Sequence, residues 1–198
     1  GSAARFNFPD GLTLDGLGNL YVADSGNHAI RKIVLATGAV STFAGTPGVS
    51  GSADGALNTG RFGAPRGLVY VRSTATSFRL YVSDTGNCTI RIVTALDSDS
   101  SGVISTLAGT PGTCGAADGL SDLAEFNRPQ SIAFHPSGPG LWVADTSNHT
   151  IRYVSLATTN YGVVTTVLGA AGSPGFVDSS NSSVVRLNFP TDVTFKSA

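Results

Sequence analysis

One phrase occurs three times in this chain of 198 residues, and its interval limits what the chain can become. It reads LYVADSGNHAIRKI from Leu20 to Ile33, LYVSDTGNCTIRIV from Leu80 to Val93 and LWVADTSNHTIRYV from Leu141 to Val154. Asp24, Asp84 and Asp145 stand 60 and 61 residues apart, and Asn27, Asn87, Asn148 and Arg31, Arg91, Arg152 keep step with them. A fixed period of this kind marks tandem structural units, so recurring side chains are read first as parts of the unit itself.

Each unit opens on a Phe-and-Pro phrase: ARFNFPDGLTLD (Ala4 to Asp15), GRFGAPRGLVYV (Gly60 to Val71) and AEFNRPQSIAFH (Ala124 to His135). A fourth opening, VRLNFPTDVTF, runs from Val185 to Phe195. Proline suits the first residue of a strand, where a missing N–H costs least. The apolar stretch after it predicts one strand, and LYVAD, LYVSD or LWVAD a second. The Ile-Arg segment predicts a third, and AVSTFAG (Ala39 to Gly45), VISTLAG (Val103 to Gly109) or VVTTVLG (Val163 to Gly169) a fourth. The Asp-x-x-Asn turn between the second and third has side chains suited to bonding nearby backbone N–H groups. No segment carries a useful 3.6-residue apolar period, which excludes helical solenoids. Four short antiparallel strands per tandem unit predict an all-β β-propeller rather than a sandwich. The expected blades run over about 6–61, 62–125 and 126–186, with 187–198 the first strand of a further blade.

The Pro-x-Gly-Leu opening (Pro9 to Leu12, Pro65 to Leu68), the Tyr-Val-Ala-Asp strand and the Asn-His-x-Ile-Arg run (Asn27 to Arg31, Asn148 to Arg152) resemble the NHL-repeat family. The resemblance recurs three times and covers almost the whole chain. It implies a propeller, commonly six-bladed. It does not select a function, because relatives include ubiquitin-ligase substrate or RNA binders, a peptide-amidating lyase and adhesion-type ectodomains.

Hydrophobic residues make up 41 % of the chain, enough for a core, while 25 glycines and only 13 % charged residues suit a turn-rich β protein. A net charge of −1 without a basic run argues against a nucleic-acid partner. No apolar stretch reaches the roughly 18 residues of a membrane span, so no membrane insertion is expected. Gly1-Ser2 and the absence of Met suggest a piece excised or processed from a longer protein.

The recurring Asp24/Arg31, Asp84/Arg91 and Asp145/Arg152 are expected to be structural ion pairs, with Asn27, Asn87 and Asn148 serving the turns. The long links between the fourth strand and the next unit share a face with those turns. They carry Asp54, Asp118 and Asp178 at matching positions, with Phe62, Phe126 and Leu187 at their ends to plug the gap between blades. Insertions on one face of a repeat protein commonly form its binding surface. Together with Arg66 and Arg128, which break the repeat, these acids form the candidate binding face. Arg72, Arg79, His135 and Trp142 also break it; Trp142 reads as a strand aromatic and His135 as a lone solvated turn residue.

Catalytic signals are weak. The histidines, His28, His135 and His149, are not spaced to converge on zinc, which takes three or four ligands at about 2.0–2.3 Å. Asp10, Asp15 and Asp192 on the innermost strand lack repeat partners. No catalytic residue, metal or cofactor is assigned; a metal-dependent lyase or hydrolase, with its site in the central channel, is the alternative. Cys88 and Cys114 have no counterparts in the other units, yet strand order brings them to one edge of one blade. They are expected to form a disulfide, which implies an extracellular or cell-surface setting. Of the sequons at Asn87, Asn148 and Asn181, the first two belong to the turn, leaving Asn181 as the candidate glycan acceptor.

Three blades and one opening strand amount to half of a six-bladed ring, which leaves sheet faces and edges uncovered. Two chains pairing head to tail would cover them, with Leu187 to Phe195 crossing into the partner's first blade; a longer parent propeller would do the same. The expected partners are thus a second copy of the chain and a protein, peptide or glycan ligand.

Overall fold

The computed structural model describes residues 3–97, 101–135 and 138–195. Gly1-Ser2 and the last three residues of the expected further strand, 196–198, lie outside the described residues. The chain is all-β, in three antiparallel sheets. The first holds β1 (Pro9–Leu14), β2 (Asn19–Asp24), β3 (Ala29–Val34) and β4 (Ala39–Gly45) in sequence order. A two-residue strand follows, β5 (Gly55–Ala56). The second sheet is built from β6 (Pro65–Arg72), β7 (Ser77–Asp84), β8 (Thr89–Leu96) and β9 (Gly102–Ala108). Next comes β10 (Gly119–Leu120), then the third sheet, β11 (Pro129–Phe134), β12 (Gly140–Asp145), β13 (Thr150–Ser155) and β14 (Val163–Gly169).

Four strands per unit understates the second and third sheets. The link after the first sheet does not stay with it: β5 pairs with β9, so Gly55 faces Ile104 as a fifth, outermost strand of the second sheet. In the same way β10 pairs with β14 of the third sheet. Each link therefore fastens the unit it leads into at its outer edge, while the same link supplies that unit's innermost strand. Leu187 to Phe195, expected to open a fourth sheet, forms no strand. It lies beside the third sheet through Thr146 Oγ1 to the Pro190 carbonyl, 2.7 Å, and Ser131 Oγ to Asp192, 2.5 Å. Without a neighbour to build a ladder, its backbone stays irregular.

The Pro-x-Gly-Leu phrase is explained by how the innermost strands meet. β1 packs against β6 and β6 against β11. A Cβ on Gly11 would stand 2.4 Å from the Arg66 carbonyl oxygen, and one on Gly67 would stand 2.5 Å from that of Gln130. Side chains at these points would push the sheets apart. Two apolar layers fill the spaces between sheets. Tyr21, Ile30, Phe62, Leu68, Phe78 and Leu80 join the first to the second. Tyr81, Ile90, Phe126, Ile132, Leu141 and Val154 join the second to the third.

Cys88 and Cys114 are bonded, with Cα atoms 5.4 Å apart. Cys88 sits in the left-handed region (φ 57°) at the end of the turn after β7, where the other units have His28 and His149. Those histidines accept a backbone N–H from the next unit at Nδ1, Ala64 for His28 and Phe189 for His149, each at 3.0 Å. The disulfide thus replaces an imidazole staple at one of three equivalent corners. Mass spectrometry without reductant should find no free thiol. Cys88→Ser with Cys114→Ser should lower unfolding free energy by about 3 kcal/mol, read from urea melts.

Candidate functional site

Two kinds of polar assembly occupy the face formed by the turns and links. The first recurs. Arg91 and Arg152 are completely buried. Arg91 Nη1 donates to Asp84 at 3.1 Å and to the Arg61 carbonyl at 2.9 Å; Arg152 Nη1 donates to Asp145 at 2.8 Å and to the Glu125 carbonyl at 2.9 Å. Asn87 and Asn148 each donate to the same aspartate at 2.7 Å. Phe62 and Phe126 lie under the guanidinium carbons at 5.7 and 5.2 Å. The first sheet repeats the pattern with Arg31, Asp24 at 2.9 Å, Asn27 and the ring of Phe6.

The aspartates take the side-chain amide of the turn asparagine but no backbone N–H of the turn, which Asp-x-x-Asn suggests they would. Their free oxygen accepts the backbone N–H of the lead-in to the innermost strand: Asn7 for Asp24, Gly63 for Asp84 and Asn127 for Asp145. Strand pairing brings Pro9, Pro65 and Pro129 opposite these aspartates, so the lead-in N–H is the nearest donor. Burial pushes the Asp84 and Asp145 carboxyls up from the usual range, and the bonds from Asn, Arg and the lead-in N–H pull them back.

The link acids join this assembly. Asp54 accepts from Arg91 Nη2 at 2.6 Å and from Thr106 N and Oγ1, both at 3.1 Å. Asp118 does the same with Arg152 Nη2 at 2.7 Å and Thr166 N and Oγ1 at 2.9 and 3.1 Å. Placed by sequence on a binding face, both carboxylates are engaged in closing the next sheet, although about half exposed. Asp178 is exposed. The recurring Thr42, Thr106 and Thr166 were the overlooked signal.

The second assembly does not recur. The innermost strands and residues 191–195 surround a cavity of about 630 Å³. At matching positions of the four openings it receives Asp10, Arg66, Gln130 and Thr191, with Ser131 and Asp192 beside the last two. Arg66 Nη1 donates to Gln130 Oε1 at 3.2 Å and lies 3.5 Å from Asp10. Arg128, exposed and in the left-handed region (φ 53°), precedes β11 on the same side. Asp15 is not part of this group; it accepts the N–H of Leu17 and Asn19 and caps the turn after β1.

On the opposite side, Arg72 pairs with Asp97, and Arg79 lines a cleft with Tyr81 and Phe134. His135 is not the isolated turn residue expected; its ring meets Phe195 edge-on at 4.8 Å and lies 6.5 Å from Trp142. Asn87 and Asn148 spend their amides inside the fold, whereas Asn181 is exposed and its Oδ1 accepts from Ser183 N and Oγ. Among the described residues, no three His, Cys, Asp or Glu side chains come together as a metal-binding group.

Tandem antiparallel sheets meeting through their first strands define a β-propeller architecture. The chain belongs to the NHL-repeat family: the NHL repeat model matches residues 6–33, and human NHL repeat-containing protein 2 is 30 % identical over 164 residues. That alignment covers 78 % of this chain and 22 % of the human protein, so the chain spans about a fifth of its relative's length. Among solved structures, an auxiliary nutrient binding protein from Bacteroides ovatus superposes with a TM-score of 0.73 at 18 % identity, over 97 % of this chain and 44 % of the other. An inactivated virginiamycin B lyase from Staphylococcus aureus gives 0.53 at 16 % identity, over 87 % of this chain and 44 % of the other. At such identities the likeness is one of fold.

Removing the buried Asp84 leaves a fully buried guanidinium with one half-exposed carboxylate, Asp54, and deprives the Asn87 amide and the Gly63 N–H of their acceptor. Asp84→Ala should therefore cost about 3–5 kcal/mol in urea unfolding. Asp24→Ala should cost clearly less, because Arg31 retains 14 % of its side-chain exposure where Arg91 has none.

Proposed function

We propose that this chain is a non-catalytic interaction module that offers the link-bearing face of a propeller to a protein, peptide or glycan. In this reading residues 6–61, 62–125 and 126–186 are three blades, 187–198 begins another, and together they make half of a six-bladed ring. The observation that carries it is the division of labour among charged groups. Asp24, Asp84, Asp145, Asp54, Asp118 and the three recurring arginines are engaged in closing sheets. Asp10, Arg66, Gln130 and Asp192, which do not recur, border the cavity between innermost strands. Such a mixture of donors and acceptors suits peptide amides or sugar hydroxyls, which need both. Arg128 adds a cation at the rim.

The disulfide supports an extracellular or cell-surface setting, and Asn181 is the surface asparagine suited to carry a glycan there.

Glycan and peptide arrays probed with the purified chain test the reading. Arg66→Ala with Arg128→Ala should weaken the ligands found by on the order of 10- to 100-fold, the usual effect of losing hydrogen bonds to charged groups. The melting temperature should not change. A stoichiometric divalent metal that copurifies and is lost in Asp10→Asn with Asp192→Asn would favour the lyase or hydrolase reading instead.

A further inference from the structure

The junction between the second and third sheets repeats five side-chain bonds of the junction between the first and second. At the second sheet, Arg91 Nη2 donates to the Ala53 carbonyl and Asp54, Thr106 donates twice to Asp54, and Asn87 Nδ2 donates to the Gly51 carbonyl. At the third, Arg152, Thr166 and Asn148 make the same five bonds to Ala117, Asp118 and Gly115. In the first sheet Asn27, Arg31 and Thr42 hold these positions, with Thr42 opposite Arg31 as Thr106 is opposite Arg91. Among the described residues, Arg31 bonds only Asp24 and the Arg5 carbonyl, Asn27 Nδ2 bonds only Asp24, and no carboxylate reaches Thr42.

The complementary parts stand at the far end of the same molecule. Gly175 N donates to the Leu187 carbonyl at 3.0 Å and Arg186 N to the Val177 carbonyl at 3.2 Å. Those two closures also shape 51–62, through Gly51 to Phe62 and Arg61 to Ala53. The third link is therefore folded like its counterparts, and its Asp178 has no hydrogen bond or ion pair among the described residues. Apolar surface points the same way. Leu12 is 62 % exposed, whereas its counterparts Leu68 and Ile132, which pack against the preceding sheet, are 7 % and 5 % exposed. Phe8 is 81 % exposed.

We infer that the first sheet is the receptor for the 175–184 link of a second copy of this chain. Asp178 enters between Arg31 and Thr42, the Val177 carbonyl takes Arg31 Nη2, and the Gly175 carbonyl takes Asn27 Nδ2. Leu12 of one copy then covers the third sheet of the other. Arg5-Phe6-Asn7-Phe8-Pro9 and Arg186-Leu187-Asn188-Phe189-Pro190 differ at one residue of five, so they compete for one place. The irregular 187–195 stretch yields, Phe8 takes the position of Phe189, whose ring lies 4.3 Å from His149, and Asp10 takes that of Thr191, so the cavity wall now formed by 191–195 is rebuilt from the second copy's first strand. This direction of exchange is opposite to a crossing of Leu187 to Phe195 into the partner. Two such junctions close a two-fold ring.

The inference rests on the half-ring reading and assigns its contact. Sedimentation equilibrium on the wild-type chain, Asp178→Ala, Thr42→Ala and the double variant separates the two. Wild type should sediment at twice its 20.1 kDa mass. Asp178→Ala should raise the dimer dissociation constant on the order of 10-fold or more, as loss of a close interfacial charge pair does. The double variant should be no weaker than Asp178→Ala, since both act through one contact. Asp178 is exposed, so its removal leaves monomer folding intact. A wild-type chain that remains monomeric overturns both the ring and the junction; a dimer that Asp178→Ala leaves unchanged overturns this junction alone.

Discussion

A guanidinium with no access to water must meet its charge and most of its donors inside the protein, and this requirement organises the second and third sheets. Arg91 and Arg152 satisfy it with parts drawn from four places: an aspartate on the neighbouring strand, carbonyls of the lead-in and the link, and the link carboxylate. An isolated buried charge costs several kcal/mol even after relaxation, so the arrangement is stable only when all parts are present. One sheet alone cannot supply them. The carboxylate comes from residues that follow the previous sheet, 37 positions before Arg91 and 34 before Arg152. Folding of one unit is thereby tied to the arrival of the one before it, the nearest-neighbour coupling that makes repeat proteins cooperative.

That dependence also decides what could be read from the sequence. The strands, their order and the Asp–Arg partnership follow from patterns inside one unit, where period-two alternation and a fixed offset of seven residues carry the information. The matching of Asp54, Asp118 and Asp178 was equally visible. Their destination was not, because a period states where a residue sits within its unit and is silent on which unit it touches. Outer strands of two residues, β5 and β10, are too short for any alternation to announce them. Backbone conformation was hidden for a similar reason. Ala64, Arg128, Phe8 and Phe189 all adopt positive φ just before a proline, yet none is the glycine or asparagine that advertises such a turn. The cysteine pair was legible because departure from the repeat singled out both partners at once.

His135 teaches the converse. Its isolation in sequence suggested solvent, but Phe195, sixty residues later, returns to the same edge and meets its ring edge-on. A residue outside the repeat has no template to locate its neighbours, so only the closed fold places it.

The same logic bears on where the repeat leaves side chains free to differ. Positions next to the Pro-x-Gly glycines are held tightly, because Gly11 and Gly67 let successive innermost strands approach to the limit of backbone contact. Backbone placement there is uniform from unit to unit, while the side chain before each glycine, or before the Ser131 and Asp192 that replace it, points to no shared structural duty. Asp10, Arg66 and Gln130 are accordingly three different residues on one repeated strand position, with Thr191 at the matching place of the irregular stretch. A fold that fixes three strand backbones around one cavity and leaves their side chains out of sheet closure converts a monotonous chain into an asymmetric polar surface. These side chains can therefore change without disturbing any of the buried arginines that hold the sheets together.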